Sequence, residues 1–188
     1  MKHSQNTSRI VSFAAGALCC CLSACNGGDD QLPPGTRVSI SPSSYTWTVT
    51  ENLDEQGNCE ISQDRYQDMI AYITVTDSSG RPIGEADLQL YLSPSNSTSP
   101  PQWNNRYIFY LYDDFNGNGV VDHPQELVSG TGEPILYETN TEKYHGTKIM
   151  IVRTNTSCGG FLGTLHAYAG DGSATMEIST QAEQLDEQ

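Results

Sequence analysis

Apolar and polar residues alternate along most of the chain between Arg37 and Thr180. Leu88, Leu90 and Leu92 alternate with Gln89 and Tyr91. Ala71, Ile73 and Val75 alternate with Tyr72, Thr74 and Thr76, and Ala174, Met176 and Ile178 with Thr175, Glu177 and Ser179. A period of two with one apolar face is the pattern of a half-buried strand. Residues 107–112 and 149–152 are continuous apolar runs that suit central strands, and residues 37–41, 45–50, 135–138 and 162–169 complete the set. Clusters of Asp, Ser, Gly and Pro at 77–80, 93–101 and 170–172 punctuate the runs as turns. No segment carries a long stripe at 3.6-residue spacing. The pattern predicts an all-β domain over 37–180, folded as an antiparallel two-sheet β-sandwich.

Ahead of this region the pattern changes. Lys2 and Arg9 bracket a stretch without acids, and thirteen apolar or small residues follow from Ile10 to Leu22. That length fits the core of a signal peptide and falls short of a bilayer span. The run closes Leu22-Ser23-Ala24-Cys25: a branched apolar residue, two small residues, then cysteine. In this the chain resembles a bacterial lipoprotein precursor. The resemblance implies a signal peptide at 1–24, cleavage before Cys25, a lipid on the Cys25 thiol, and membrane attachment through buried acyl chains. A plain secretory signal cut nearby is the alternative. Asn26, where enteric lipoproteins retained in the inner membrane carry Asp, implies the outer membrane and leaves open which face the domain occupies. Residues 25–36, rich in Gly, Asp and Pro, read as a flexible tether, and 181–188 as an acidic C-terminal tail.

The charge narrows the partners. Twenty-three Asp and Glu against nine Lys and Arg give −14, which argues against a nucleic acid. Seventeen Gly, nine Pro and ten Tyr with only 17% charged residues suit a turn-rich β protein, not a coiled coil or a disordered acid. Behind the expected cleavage site only Cys59 and Cys158 remain beside Cys25. An exported, oxidising setting favours a disulfide between them, with two free thiols or a metal pair as the other readings.

A second resemblance lies in the body. Ile73-Thr-Val-Thr-Asp-Ser-Ser-Gly-Arg-Pro-Ile83 precedes the strand at 87–92, and Leu165-His-Ala-Tyr-Ala-Gly-Asp-Gly-Ser-Ala-Thr-Met-Glu-Ile178 closes the region. These stretches resemble the opening and the last hairpin of bacterial immunoglobulin-like repeats of the invasin and intimin kind. The resemblance covers 73–180 and implies an immunoglobulin-like sandwich. The chain departs from it in a long middle segment, 93–148, and in having one domain instead of an array.

The sharpest local motif is Asp114-Phe-Asn116-Gly-Asn118-Gly119-Val120-Val121-Asp122-His-Pro-Gln125-Glu126. Oxygen-bearing side chains fall at positions one, three, five and nine, with Gly at six and an aliphatic residue at eight. This is the spacing of an EF-hand or dockerin calcium loop. Asp114, Asn116, Asn118 and Asp122 would supply side-chain oxygens and Val120 its carbonyl, while Val121 would anchor the loop to the core. The closing acid is displaced: Gln125 holds position twelve, and Glu126, one residue later, would be the sixth ligand if His123-Pro124 makes a wider turn. The competing reading is an ordinary turn, because Asn and Gly accept positive φ without a metal.

Other constellations carry less. His123, His145 and His166 have no His or Cys at metal-ligand spacing and read as surface or strand-face residues. Trp103, in a Pro- and Ser-rich loop, and neighbouring Tyr107 offer a stacking platform for a sugar ring, or else cap the sandwich edge. No nucleophile–base signature occurs. The sequence therefore points to a non-enzymatic, outer-membrane-anchored immunoglobulin-like lipoprotein with a Ca²⁺ loop. It would act as a structural or protein-binding component of the cell envelope or surface. The alternative is a glycan-binding module with a calcium-stabilised loop.

Overall fold

The structure is a computed structural model and describes residues 32–62, 64–95, 109–130 and 136–183. Among these residues ten strands form: β1 (Arg37–Ser41), β2 (Ser44–Val49), β3 (Tyr66–Thr76), β4 (Asp87–Ser95), β5 (Phe109–Asp113), β6 (Leu127–Gly130), β7 (Leu136–Asn140), β8 (Thr147–Asn155), β9 (Leu162–Ala169) and β10 (Gly172–Ala182). They make two five-stranded sheets, ordered β1-β3-β8-β5-β6 and β2-β10-β9-β4-β7. The sub-orders β1-β3-β8-β5 and β10-β9-β4 match the four-strand and three-strand sheets of an immunoglobulin sandwich. The middle segment that departs from the family pattern supplies β5 and then one edge strand to each sheet, β6 and β7.

The sandwich follows from the alternation. Residues Met69, Ala71, Ile73 and Val75 of β3 face Leu88, Leu90 and Leu92 of β4 and Leu165 and Ala167 of β9 in one buried core. Trp47, Phe109, Met150, Met176 and Ile178 complete it, and Trp47 and Phe109 lie 6.1 Å apart between ring centroids. A fully buried side chain of this size contributes about 1.5–3 kcal/mol. The β9–β10 hairpin pairs Ala169 with Gly172, and Gly170 at φ 57° makes its turn. One expectation needs correction: the sheets are not wholly antiparallel. The chain crosses sheets between Ser41 and Ser44, so β2 arrives running parallel to β10 and pairs Thr46 with Ser179.

The Cys59–Cys158 disulfide is present, with Cα atoms 5.9 Å apart at a sequence separation of 99. It pins the 52–60 loop, where Asn52 N–H donates to Ser157 O at 2.8 Å, to the segment leading into β9. Closing a loop of that length stabilises by up to ~4.7 kcal/mol through the unfolded chain. The span read as tether ends in packed residues. Leu32 touches the core, Thr36 is buried, and Gly35 N–H donates to Asp171. At the other end β10 runs two residues past the expected boundary, and Glu183 N–H donates to Val49 O. Cys25, the signal peptide and residues 184–188 lie outside the described residues.

Candidate functional site

Strand β5 delivers the candidate loop. Its inward residues, Phe109 and Leu111, belong to the core, and the next inward position is Asp113. This carboxylate is nearly buried and is held from both sheets. Lys148 Nζ of β8 lies 2.6 Å from Oδ1, and Tyr137 OH of β7 donates to Oδ2 at 2.6 Å. Burial, reinforced by the hydrogen bond to Asp113, pushes the Tyr137 hydroxyl up to about 12. The trio closes one end of the sandwich and fixes the root of the loop.

From Asp114 the chain turns back on itself. Asp114 is buried; its Oδ1 accepts from Asn118 N–H at 3.1 Å and its Oδ2 from Gly119 N–H at 2.8 Å. Asn116 Oδ1 accepts from Asn118 N–H, and Asn118 Oδ1 from Val120 N–H. The turn needs positive φ at Gly117 and Gly119, 68° and 73°. Gly119 also lies close over the first sheet: a Cβ there would stand 2.9 Å from Ile70 Cδ1 on the outer face of β3, and that side chain would have to move. The loop thus folds over the outside of the first sheet. Ile151, the register partner of Ile70, is fully buried there yet is not part of the inter-sheet core. Val121, expected to anchor the loop to the core, is only half-buried; Gly119 on Ile70 takes that part.

The far end is closed by Glu126, at the end of a 3₁₀ turn, Pro124–Glu126. Glu126 is 0% exposed. Its Oε2 accepts from the N–H groups of Asp122 and His123, at 3.1 and 3.2 Å, whereas Oε1 is buried with no hydrogen-bond partner. Asp113 Oδ1 likewise lacks a hydrogen bond of good angle but has the Lys148 ammonium beside it, so Glu126 Oε1 is the acid oxygen left without compensation. An uncompensated buried carboxylate oxygen is costly and calls for a counter-charge.

The structure places the six expected ligands on one loop but only partly aims them. The amide NH₂ groups of Asn116 and Asn118 donate to Asp122 Oδ1 and Oδ2, at 3.2 and 2.8 Å. They occupy the side of Asp122 on which a cation would sit. Reversing either amide would bring its oxygen to that side, but would set its NH₂ against the backbone N–H group from which that oxygen now accepts, so the loop must also rearrange to ligate through them. Among the described residues no three His, Cys, Asp or Glu side chains gather closely enough to hold a metal by themselves. The amide and carbonyl oxygens are therefore indispensable to the set. The donors are all hard oxygens and one buried carboxylate oxygen is unpaired, a chemistry that fits Ca²⁺.

Trp103 and Tyr107 lie outside the described residues. His123 stacks on Phe115 at 5.5 Å, and His166 sits on the outer face of β9. Sequence reasoning passed over the company His166 keeps. Tyr91 and Tyr168 flank it, with ring centroids 5.5 and 6.3 Å away, and Ser93 Oγ lies 3.2 Å from its Nε2. The signal was present in the polar positions of β4 and β9, where Tyr91, His166 and Tyr168 stand.

No family model matches the chain, and no curated protein matches it. Among solved structures it is similar to a family 123 glycoside hydrolase from Clostridium perfringens, at 11% identity and TM-score 0.36, over 80% of this chain and 28% of that one. It is also similar to the N-terminal domain of the Streptococcus gordonii adhesin Sgo0707, at 12% identity and TM-score 0.34, over 80% and 33%. The chain thus spans a third or less of either neighbour, and at these scores neither bears on function.

Proposed function

We propose that the chain is a non-enzymatic lipoprotein, held to the outer membrane by a lipid on Cys25. Its immunoglobulin-like sandwich serves as a structural or protein-binding component of the cell envelope. Its Asp114–Glu126 loop takes up one Ca²⁺ ion, through Asp114, Asn116, Asn118, the Val120 carbonyl, Asp122 and Glu126. The anchor rests on Leu22-Ser23-Ala24-Cys25 at the end of an apolar run. The ion rests on the buried, unpartnered Oε1 of Glu126 at the closure of an oxygen-rich loop. A bound cation supplies the missing counter-charge and locks the loop against the outer face of the first sheet.

The test uses the full-length protein extracted in detergent. Calcium in the millimolar range raises the unfolding midpoint, by about 2.7 kcal/mol of stability at a hundredfold excess over Kd. Magnesium does less, because its smaller shell demands near-octahedral geometry. Asp114→Ala and Glu126→Gln abolish the calcium response. An unchanged midpoint with no ion bound in calorimetry leaves the empty Asn-Gly turn instead. Cys25→Ser removes acyl mass and membrane partition; normal partition in that variant overturns the anchor independently of the ion.

A further inference from the structure

The outer face of the second sheet differs in chemistry from the rest of the described surface. The strands β2, β4, β7, β9 and β10 contain no Lys or Arg. Their solvent-side positions carry carboxylates, amides and hydroxyls around a short row of rings. In register, Tyr91 of β4 lies opposite His166 of β9, and Gln89 lies opposite Tyr168. Tyr168 is 41% exposed, and its ring plane is parallel to that of His166. Burial lowers the pKa of His166, so the ring is neutral at pH 7 and the face holds no cation. One end of the row opens into a hollow of about 360 Å³, where Thr46, Thr164, Glu177 and Ser179 present three hydroxyls and a carboxylate. At the other end a hollow of about 370 Å³ runs past Gln89 and Glu138.

We infer that this face binds a neutral glycan, laid across the strands from the Glu177 hollow, over Tyr168 and His166, to the Glu138 hollow. Three strand spacings, from β10 to β7, give about 14 Å across the sheet. Each hollow has the volume of roughly a dozen waters, enough for a sugar ring. The ring faces carry negative quadrupole density, which attracts the slightly positive C–H face of a pyranose. Carboxylates and hydroxyl oxygens accept from sugar hydroxyls, and a charged acceptor makes the stronger bond. The charge selects the partner: carboxylates without a cation repel an acidic polysaccharide and leave a neutral one unpenalised. A protein partner fits less well, because interface centres favour Arg and large apolar anchors and exclude carboxylates. The inference gives the binding module a ligand class and depends on neither the Cys25 anchor nor the calcium loop.

The test measures retention of the full-length, detergent-extracted protein in gels carrying soluble neutral glucan, mannan, galactan or xylan. Polygalacturonate is the anionic comparison. At least one neutral polysaccharide retards the wild type, and polygalacturonate does not. Tyr168→Ala and the near-isosteric Glu177→Gln each weaken that retention at least tenfold with unchanged unfolding midpoints. Tyr72→Ala, an exposed tyrosine on the other sheet, leaves it as it was. Retention by polygalacturonate alone, by no polysaccharide, or equally by Tyr168→Ala and Glu177→Gln overturns the inference. So does capture of an envelope protein through this face with no glycan bound. None of these outcomes alters the calcium or acylation results, so the two proposals fail separately.

Discussion

The two outer faces of the sandwich solve the same problem differently. Each sheet presents aromatic rings on its solvent side. On the first sheet most of those rings are tied down, Tyr72 being the exposed exception. Arg153 pairs with Asp68 through two short bonds and lies 5.2 Å over the Tyr112 ring, while Tyr66 packs edge-on against Tyr110. Beside them the 114–126 loop reaches Ile70, whose register partner Ile151 is fully buried on the same face, so part of the face behaves as a second, small core. On the second sheet nothing among the described residues covers the Tyr91–His166–Tyr168 row, and no guanidinium sits on its rings. The same strand chemistry therefore gives one face sealed by a loop and one left for a ligand. What decides between them is the loop after β5 and the placing of two cations, Arg37 and Arg153, at outward positions on strands of the first sheet.

The comparison breaks most severely at Asp113. Its side chain and that of Lys148 are only 10% and 14% exposed. Asp113→Ala leaves Lys148 uncompensated and removes the acceptor of Tyr137, at an expected cost of about 3–5 kcal/mol in chemical denaturation. Adding Lys148→Met to Asp113→Ala restores much of the loss, because an apolar pair carries no desolvation penalty. A loss in the single variant below about 1 kcal/mol would show that the trio does not fix the loop's root.

A matched pair of truncations sharpens the contrast. Ile151→Ala removes a side chain that faces outward in register and is nonetheless fully buried, beside the Ile70 that the loop reaches. It costs about 2–3 kcal/mol, at the lower end of the range for buried Ile→Ala, because the loop can settle into part of the gap. Leu162→Ala, at an outward position on the open face and 37% exposed, stays within about 0.5 kcal/mol of wild type. Equal costs in equilibrium unfolding would mean that the loop does not seal the first sheet.

The residues that made the sandwich legible are those whose environment is set by the strand itself. Alternation at 71–75, 88–92 and 174–178 predicted β3, β4 and β10, and Arg37–Ser41 is β1 to the residue. Strand β6 was missed because Leu-Val-Ser-Gly is too short to show a period, and its pairing with β5 carries a bulge at Leu111/Tyr112. The parallel β2–β10 pair was equally invisible: period two encodes which face is buried, not which neighbour runs beside it. At the loop, spacing named the oxygen residues and the displaced Glu126. It said nothing of where the loop lies, and Ile151 read as an interior residue of an apolar run when it is buried on the outer face, apart from the inter-sheet core. The open row of rings needed only the polar positions of β4 and β9 to be read as carefully as the apolar ones.

The smallest effect belongs to that row. His166 is half-buried among Tyr91, Tyr168, Ser93 and Thr164, with Thr175 opposite it and Glu177 two residues further along β10. Burial disfavours its charged form, so its pKa in the folded state falls below the ordinary 6.5. The unfolded chain therefore takes up the proton first as the solution is acidified, and stability falls wherever the unfolded state binds more protons. The His166 contribution is complete above about pH 6.5. It declines as the pH drops from there toward the lowered folded value, and is constant below it. The measurement is the difference in unfolding midpoint between pH 8 and pH 5, for wild type and for His166→Gln. Carboxylates elsewhere move both proteins alike, so the wild type should lose slightly more than the variant. The excess is small, because a ring on an open face keeps much of its hydration. An excess as large as that of a sealed buried histidine would mean that this face is covered after all, whereas an equal loss in both proteins would mean that the ring is as well solvated folded as unfolded.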